Sequence, residues 1–93
     1  MSAKKSALST KAKIVNELGL HARSAGMIAR IAEQAHDRVW ISKDDCTADA
    51  GSIIDLLTLE CPVGTRVTIW ATDPADAKLV DQIAQLINSG FEA

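Results

Sequence analysis

Hydrophobic and polar residues alternate in three segments of the chain, a pattern typical of strands that bury one face. These segments are residues 10–16, 38–43 and 65–72. The positions predicted to face a core are Ala12, Ile14, Val39, Ile41, Val67 and Ile69. The opposite positions include Lys11, Lys13, Trp40, Ser42, Thr68 and Trp70. Asp44-Asp45 predicts a turn, and the residues that follow it, 46–50, predict a short edge strand.

Apolar residues recur every three or four positions in two other segments, which predicts helices with one buried stripe each. The stripe of residues 22–35 consists of Ala25, Ile28, Ile31, Ala32 and Ala35. The stripe of the last helix consists of Leu79, Val80, Ile83, Leu86 and Ile87. Asp73 and Pro74 suit the N-cap and first position of that helix, and Gly90 suits its end. The capping-box pattern of residues 52–55 predicts a further short helix that ends near residue 59.

The elements follow the order strand, helix, strand, strand, helix, strand, helix. This order predicts an α+β fold in which helices cover one face of an antiparallel sheet. At 93 residues the chain is long enough for one modest core. We therefore expect a single domain over residues 10–93, preceded by a flexible N-terminal arm over residues 1–9.

Composition and charge narrow the classes of function. A net charge of -2, a single Phe and the absence of Tyr disfavour nucleic-acid binding. No apolar run approaches the roughly 20 residues of a membrane-spanning helix, and the first residues lack the apolar region of a signal peptide. We therefore expect no membrane association and a cytoplasmic location. Cys46 and Cys61 stand apart with no CxxC pair, which predicts two free thiols and no metal site.

His21 lies where a loop turns into the first predicted helix, with Arg23 two positions later. The first N–H groups of a helix lack internal partners and carry part of its positive dipole, so they can hold an anion. Arg23 adds a guanidinium suited to phosphate, and a neutral imidazole is a nucleophile that can accept a phosphoryl group. We interpret the small residues Gly19 and Ala22 as keeping the approach to the imidazole open. The alternative is that His21 is an exposed helix-start residue with no chemical role.

Two motifs of the chain resemble those of a known family. Residues 19–23, GLHAR, closely resemble the active-site signature of the HPr family, the histidine-containing phosphocarriers of the phosphoenolpyruvate-dependent phosphotransferase system. Residues 51–59, GSIIDLLTL, resemble the second signature of that family, a short helix opened by a serine. The spacing between the two, the later Gly64-Thr65 and the final strand and helix also fit. The resemblance covers about residues 10–90, and two motifs in register make it specific.

The resemblance implies both a fold and an activity. The implied fold is an open-faced β-sandwich, a four-stranded antiparallel sheet covered on one face by three helices. Proteins of this family accept a phosphoryl group from phosphorylated enzyme I on Nδ1 of the histidine that matches His21, and pass it to IIA domains of sugar permeases. The arginine that matches Arg23 helps to hold the phosphoryl group. Such a protein is a relay rather than an enzyme with turnover, and we expect a monomer without a cofactor.

The family usually has proline after this arginine, and here the residue is Ser24. Proline would fix φ at the helix start, whereas serine supplies an N–H and a hydroxyl that could contact a phosphate. Gly26, in the same helix, is about 1 kcal/mol poorer than Ala as a helix former. We therefore expect a looser helix start here, which proline in place of Ser24 would stiffen.

Ser52 matches the serine that a dedicated kinase phosphorylates in many bacteria. The resemblance therefore implies a regulatory site at Ser52 and an HPr kinase/phosphorylase as a partner. N-capping of the short helix alone also explains a serine at this position.

The short helix carries more apolar residues than it can bury. We expect Ile53, Ile54 and Leu57, with Met27 from the first helix, to form an exposed patch beside His21 where partners dock. The alternative is that these side chains are ordinary core. Two other functions stay open: a regulatory binding module controlled through Ser52, and a carrier of a nitrogen-type or incomplete phosphotransferase system without sugar transport.

Overall fold

The structure, a computed structural model, describes residues 8–92 as one sheet and three helices. The strands are β1 (Ser9–Lys13), β2 (Val39–Lys43), β3 (Cys46–Asp49) and β4 (Arg66–Ala71). The helices are α1 (Ala22–Ala32), α2 (Ile53–Thr58) and α3 (Ala77–Asn88). The element order is the one predicted from the alternation and the three-and-four spacing of apolar residues.

All neighbouring strands of the sheet are antiparallel, in the order β1-β4-β2-β3. The strand β3 lies at one edge, as predicted. At the other edge the Lys13 N–H donates to Asn88 Oδ1 at 3.0 Å, so a residue of α3 satisfies a backbone donor that would otherwise be unpaired. The predicted α+β fold with an open-faced sandwich is therefore confirmed.

The core lies between the sheet and the helices, because inward positions of the strands meet the apolar stripes of α1 and α3. The predicted inward residues of the strands are all buried: Ala12, Ile14, Val39, Ile41, Val67 and Ile69. In the helical stripes Ile31, Ala35 and Leu79 are only partly buried and pack against this core. The opposite face of the sheet carries Trp40 and Trp70, which stack with ring centroids 5.7 Å apart, as expected from their directly opposed register.

Several boundaries differ from those predicted. The strand β1 starts at Ser9, inside the predicted arm, and ends at Lys13; residues 1–7 of that arm lie outside the described residues. The helix α1 ends at Ala32 rather than near residue 35, because the N–H groups of Gln34 and Ala35 bond three residues back and tighten the last turn. The last helix begins with a 3₁₀ turn, Pro74–Asp76, that Asp73 caps by accepting from the Ala75 N–H at 2.9 Å.

Asp76, which no local pattern singles out, is 1% exposed and ties the 3₁₀ turn before α3 to the loop after α1. Its carboxylate oxygens accept the backbone N–H groups of His36 at 2.8 Å and Asp37 at 3.1 Å. Burial acts to raise the pKa of this carboxyl, but the two N–H donors and the nearby His36 charge outweigh it and hold the pKa below its ordinary value. The charged form of Asp76 is therefore part of the folded state.

We expect Asp76→Asn to lower the free energy of unfolding by about 2 kcal/mol, because an amide presents donors where two N–H groups need acceptors. Since the pKa of Asp76 is depressed in the folded state, its contribution is present above the unfolded pKa of about 3.9 and is lost as pH falls through the folded value. Urea unfolding between neutral and acidic pH measures both effects, with the exposed Asp45→Asn as control. Equal acid sensitivity in the wild type and Asp76→Asn would contradict this account.

Candidate functional site

His21 is the N-cap residue of α1 and stands in an extended conformation, φ -135° and ψ -178°. The first backbone hydrogen bond of the helix runs from the Ala25 N–H to the His21 carbonyl, at 2.8 Å. The N–H groups of Ala22 and Arg23 are therefore left without an intrahelical acceptor at the positive end of the helix dipole. A partly exposed imidazole thus lies beside free backbone donors, as predicted from the sequence.

The loop before His21 is fixed by a close approach at Gly19, whose φ is +69°. A Cβ atom at this position would lie 2.6 Å from the Cys61 carbonyl oxygen and 2.9 Å from Pro62 Cα, so only glycine fits. The Leu20 N–H donates to the same Cys61 carbonyl at 2.8 Å. The interpretation that Gly19 keeps a partner's approach open is wrong, because Gly19 is buried against the chain itself.

Asn16 closes the same loop from its other end. Its Nδ2 donates to the Gly19 carbonyl at 2.8 Å, while the Gly19 N–H donates to the Asn16 carbonyl at 3.0 Å. Behind the loop, burial raises the pKa of the Cys61 thiol more than the charge of Lys43 lowers it. Cys61 is therefore a buried neutral thiol whose carbonyl, rather than its sulfur, positions the site.

Arg23 is exposed at the second position of α1 and makes no ion pair within residues 8–92. With His21 it lines an open depression of about 440 Å³. The other residues of its lining are Asn16, Glu17, Leu18, Ser24, Met27, Gly90, Phe91 and Glu92. The guanidinium is thus free to meet an anion held beside the imidazole, and two carboxylates, on Glu17 and Glu92, stand at the rim.

Residues 90–92 come to this depression because of how α3 ends. Gly90 and Phe91 have positive φ, and their N–H groups return to the carbonyls of Ile87 at 3.0 Å and Leu86 at 2.9 Å. The sequence indicated the end of the helix at Gly90. It carried no signal that the following residues would fold back toward His21, since that contact depends on the packing of α3 across the sheet.

The Ser24 side chain caps the start of α1. Its hydroxyl accepts from the His21 N–H at 3.0 Å and donates to the His21 carbonyl at 3.1 Å, and the residue is 2% exposed. The expectation of a loose helix start is therefore wrong, because serine at this position ties the helix to the backbone of His21. The hydroxyl is engaged within the chain, and the Ser24 N–H faces the His21 side chain as the other half of the same capping box.

Ser52 is the N-cap of α2, as predicted. Its Oγ accepts from the Asp55 N–H at 3.2 Å. The second half of the capping-box pattern is replaced, because the Ser52 N–H donates to the Asp49 carbonyl at 2.9 Å instead of to the Asp55 side chain. Ser52 is partly exposed, so its hydroxyl is within reach of a partner.

Of the six residues of α2, Leu56 is the one that is buried. Ile53, Ile54 and Leu57 are exposed, Ile54 by 77%. The helix contacts α1, where the Ile53 Cδ1 atom lies 3.8 Å from a Cβ built on Gly26. Met27 is partly buried and packs against the core. Three further apolar side chains are exposed that the sequence analysis did not predict: Val15 at 48%, Leu18 at 78% and Val63 at 53%.

Within residues 8–92 no group of three His, Cys, Asp or Glu side chains is arranged to hold a metal ion. Over the same part of the chain, no helix has both the length and the apolar character to cross a bilayer.

The fold and this site together define a small open-faced sandwich with a partly exposed histidine at a helix start. The model of one protein family, the PTS HPr component phosphorylation site, matches residues 8–89. The chain is 35% identical over 79 residues to the phosphocarrier protein HPr of Neisseria meningitidis serogroup B. The aligned residues cover 85% of this chain and 89% of that relative. It is 33% identical over 81 residues to the phosphocarrier protein NPr of Escherichia coli K12, with 86% and 90% covered.

Solved structures agree with these relatives. HPr-C-His from Thermoanaerobacter tengcongensis superposes with a TM-score of 0.80 at 28% identity, covering 91% of this chain and 96% of that chain. The chain belongs to the HPr family of phosphocarriers of the phosphotransferase system.

We expect Ser24→Ala to lower the free energy of unfolding by about 1.5 kcal/mol, because the His21 N–H loses its acceptor at a buried position. Ser24→Pro loses the same bonds but regains about 0.5 kcal/mol by restricting the unfolded chain. Urea denaturation of the wild type and the two variants measures their free energies of unfolding. A proline variant more stable than the wild type would show that the cap contributes little and that the helix start is loose after all.

Proposed function

We propose that this protein is a phosphocarrier that accepts a phosphoryl group from phosphorylated enzyme I on Nδ1 of His21 and passes it to IIA domains. The observation that carries the proposal is the position of His21 at the N-cap of α1, beside free backbone donors and the unpaired Arg23. Membership of the HPr family supports it, because that family transfers phosphoryl groups through a histidine. The proposal includes a cytoplasmic monomer that needs no cofactor.

The chemistry is an in-line transfer in two halves. The Nδ1 lone pair of neutral His21 attacks phosphorus as the bond from phosphorus to its donor atom on enzyme I breaks. In the second half an acceptor atom on a IIA domain attacks the same phosphorus and the N–P bond of His21 breaks. Negative charge spreads over the three transferred oxygens in each half, and the N–H groups of Ala22, Arg23 and Ser24 with the Arg23 guanidinium stabilise it.

Both partners must reach the same imidazole. We assign docking to the apolar patch of Met27, Ile53, Ile54 and Leu57, since α2 contacts α1 and leaves these side chains partly or largely exposed beside it. The exposed Leu18, which lines the depression with His21, extends this patch. Because donor and acceptor use one surface, enzyme I leaves before a IIA domain binds.

A second candidate function rests on Ser52. Phosphorylation there by an HPr kinase/phosphorylase would place about two negative charges at the start of α2, on the border of the patch. The protein would then act as a regulatory module rather than as a relay. The relatives include both HPr and NPr at similar identity, so sugar-linked transport and a nitrogen-type or incomplete system remain the two versions of the relay.

We expect His21→Ala to abolish labelling of the protein by enzyme I and radiolabelled phosphoenolpyruvate. The wild type acquires an acid-labile phosphate, as expected of a phosphoramidate. His36→Ala is the matched control, because His36 is exposed and its hydrogen bond to Asp76 runs from the backbone N–H, which alanine keeps. Labelling of His21→Ala that equals the wild type would remove His21 as the acceptor.

We expect Ser52→Asp to slow phosphorylation of His21 several-fold, because docking must desolvate a charge at the rim of the patch. Asp is a good N-cap, so the melting temperature should change little. Ser52→Asn keeps the cap without the charge and should transfer at the wild-type rate. Phosphotransfer kinetics and thermal melts of the three proteins decide the matter, and equal rates for Asp and Asn would leave Ser52 as a cap alone.

A further inference from the structure

Cations collect on the open face of the sheet, away from the helices and from His21. Lys13 of β1 lies directly opposite Arg66 of β4 in the antiparallel register. Lys11, two residues earlier on the same face, lies opposite Thr68. All three basic side chains are exposed. The protein carries a net charge of -2, so this concentration of positive charge is local.

This arrangement of basic side chains does not stabilise the fold. Like charges directly opposed on neighbouring strands destabilise a sheet. Within residues 8–92 none of Lys11, Lys13 and Arg66 forms an ion pair; the ion pair found there joins Arg38 and Asp49. Two facing cations with no carboxylate between them repel each other and lower the stability of the sheet locally. An anion that binds between them would remove this repulsion.

These cations line an open depression of about 550 Å³, within the range of small-molecule sites. Its polar lining also includes the hydroxyls of Thr68 and Ser42 and the amide of Asn88. The Asn88 Oδ1 accepts from the Lys13 N–H, which leaves its Nδ2 as a donor. One carboxylate, Asp44, also lines the depression, so the charge there is two units positive at neutral pH.

We propose that this depression binds a small phosphorylated anion that carries two or more negative charges. Phosphate oxygens are acceptors only, and the lining offers ammonium, guanidinium and amide donors. The Arg66 guanidinium can hold two oxygens of one phosphate at once, while the lysines neutralise the remaining charge. The depression runs over the open face of the sheet to the β1 edge, where Asn88 of α3 lies, and shares no lining residue with the depression at His21, so a ligand there leaves the start of α1 uncovered.

Inorganic pyrophosphate is the probe. We expect saturable changes in the backbone amide shifts of Lys11, Lys13, Arg66 and Thr68 in a titration followed by NMR. Tryptophan fluorescence gives a second signal, since Trp70 follows Thr68 by two positions on the same face. Exposed charge pairs are weakened by salt, so the affinity should fall as ionic strength rises.

The double variant Lys13→Gln with Arg66→Gln should weaken pyrophosphate binding about tenfold. It should not lower the melting temperature, because it removes a repulsion. Arg30→Gln with Lys78→Gln makes the same change in net charge at exposed helical positions and is the matched control. That control should bind as the wild type does, and both double variants should still be labelled at His21.

Three results would overturn the proposal. The first is the absence of saturable shifts on the sheet. The second is a set of shifts confined to residues 21–24, which would place the anion at the helix start. The third is equal weakening in the two double variants, which would reduce the effect to net charge.

Discussion

The close approach of Gly19 to the backbone of Cys61 and Pro62 is the contact on which the geometry of the site depends. It holds the loop before α1 against the segment that follows α2, and the Leu20 N–H bonds to the same carbonyl. The chain then enters α1 with His21 at its N-cap. His21 is therefore positioned by backbone contacts of its loop and by its capping box with Ser24.

The one-sided cover of the sheet leaves the molecule with two separate exposed surfaces, one beside α2 and one on the open face of the sheet. Helices α1 and α3 bury their stripes on one face, and α2 is held mainly through Leu56. The apolar side chains that α2 cannot bury lie near α1, where a partner would need them. The open face keeps its polar and aromatic side chains, with the stacked pair of Trp40 and Trp70 at the centre.

The fold was predictable because its strands and helices have clear periods. Val67 and Ile69 alternate with Thr68 and Trp70, and this alternation alone places them on the correct faces. The features that were missed depend on contacts between distant residues. The Asp76 carboxylate accepts a hydrogen bond from the N–H of His36, 40 residues away, and no local sequence pattern indicates such a bond.

In the candidate site, too, some features follow from local sequence patterns and others depend on contacts between distant residues. His21 and Arg23 stand at a predicted helix start, but the resemblance of residues 19–23 and 51–59 to the HPr signatures is what assigned roles to them and to Ser52. The capping role of Ser24 is equally local, but the sequence analysis assigned its hydroxyl to a phosphate and not to the backbone of His21. The presence of Phe91 and Glu92 beside His21 depends on where α3 ends in space, which the sequence does not state.

The depression at His21 has two walls that differ in stability, because one of them is formed by the residues that end α3. On one side the loop of residues 16–20 is anchored by Gly19 and could move only with the segment around Cys61. On the other side residues 90–92 are held at the terminus of a helix, where hydrogen bonds break at low free energy. Local unfolding of that last turn would widen the depression while the core stays intact. The volume of the depression therefore depends on the stability of one helix terminus more than on the global stability of the domain.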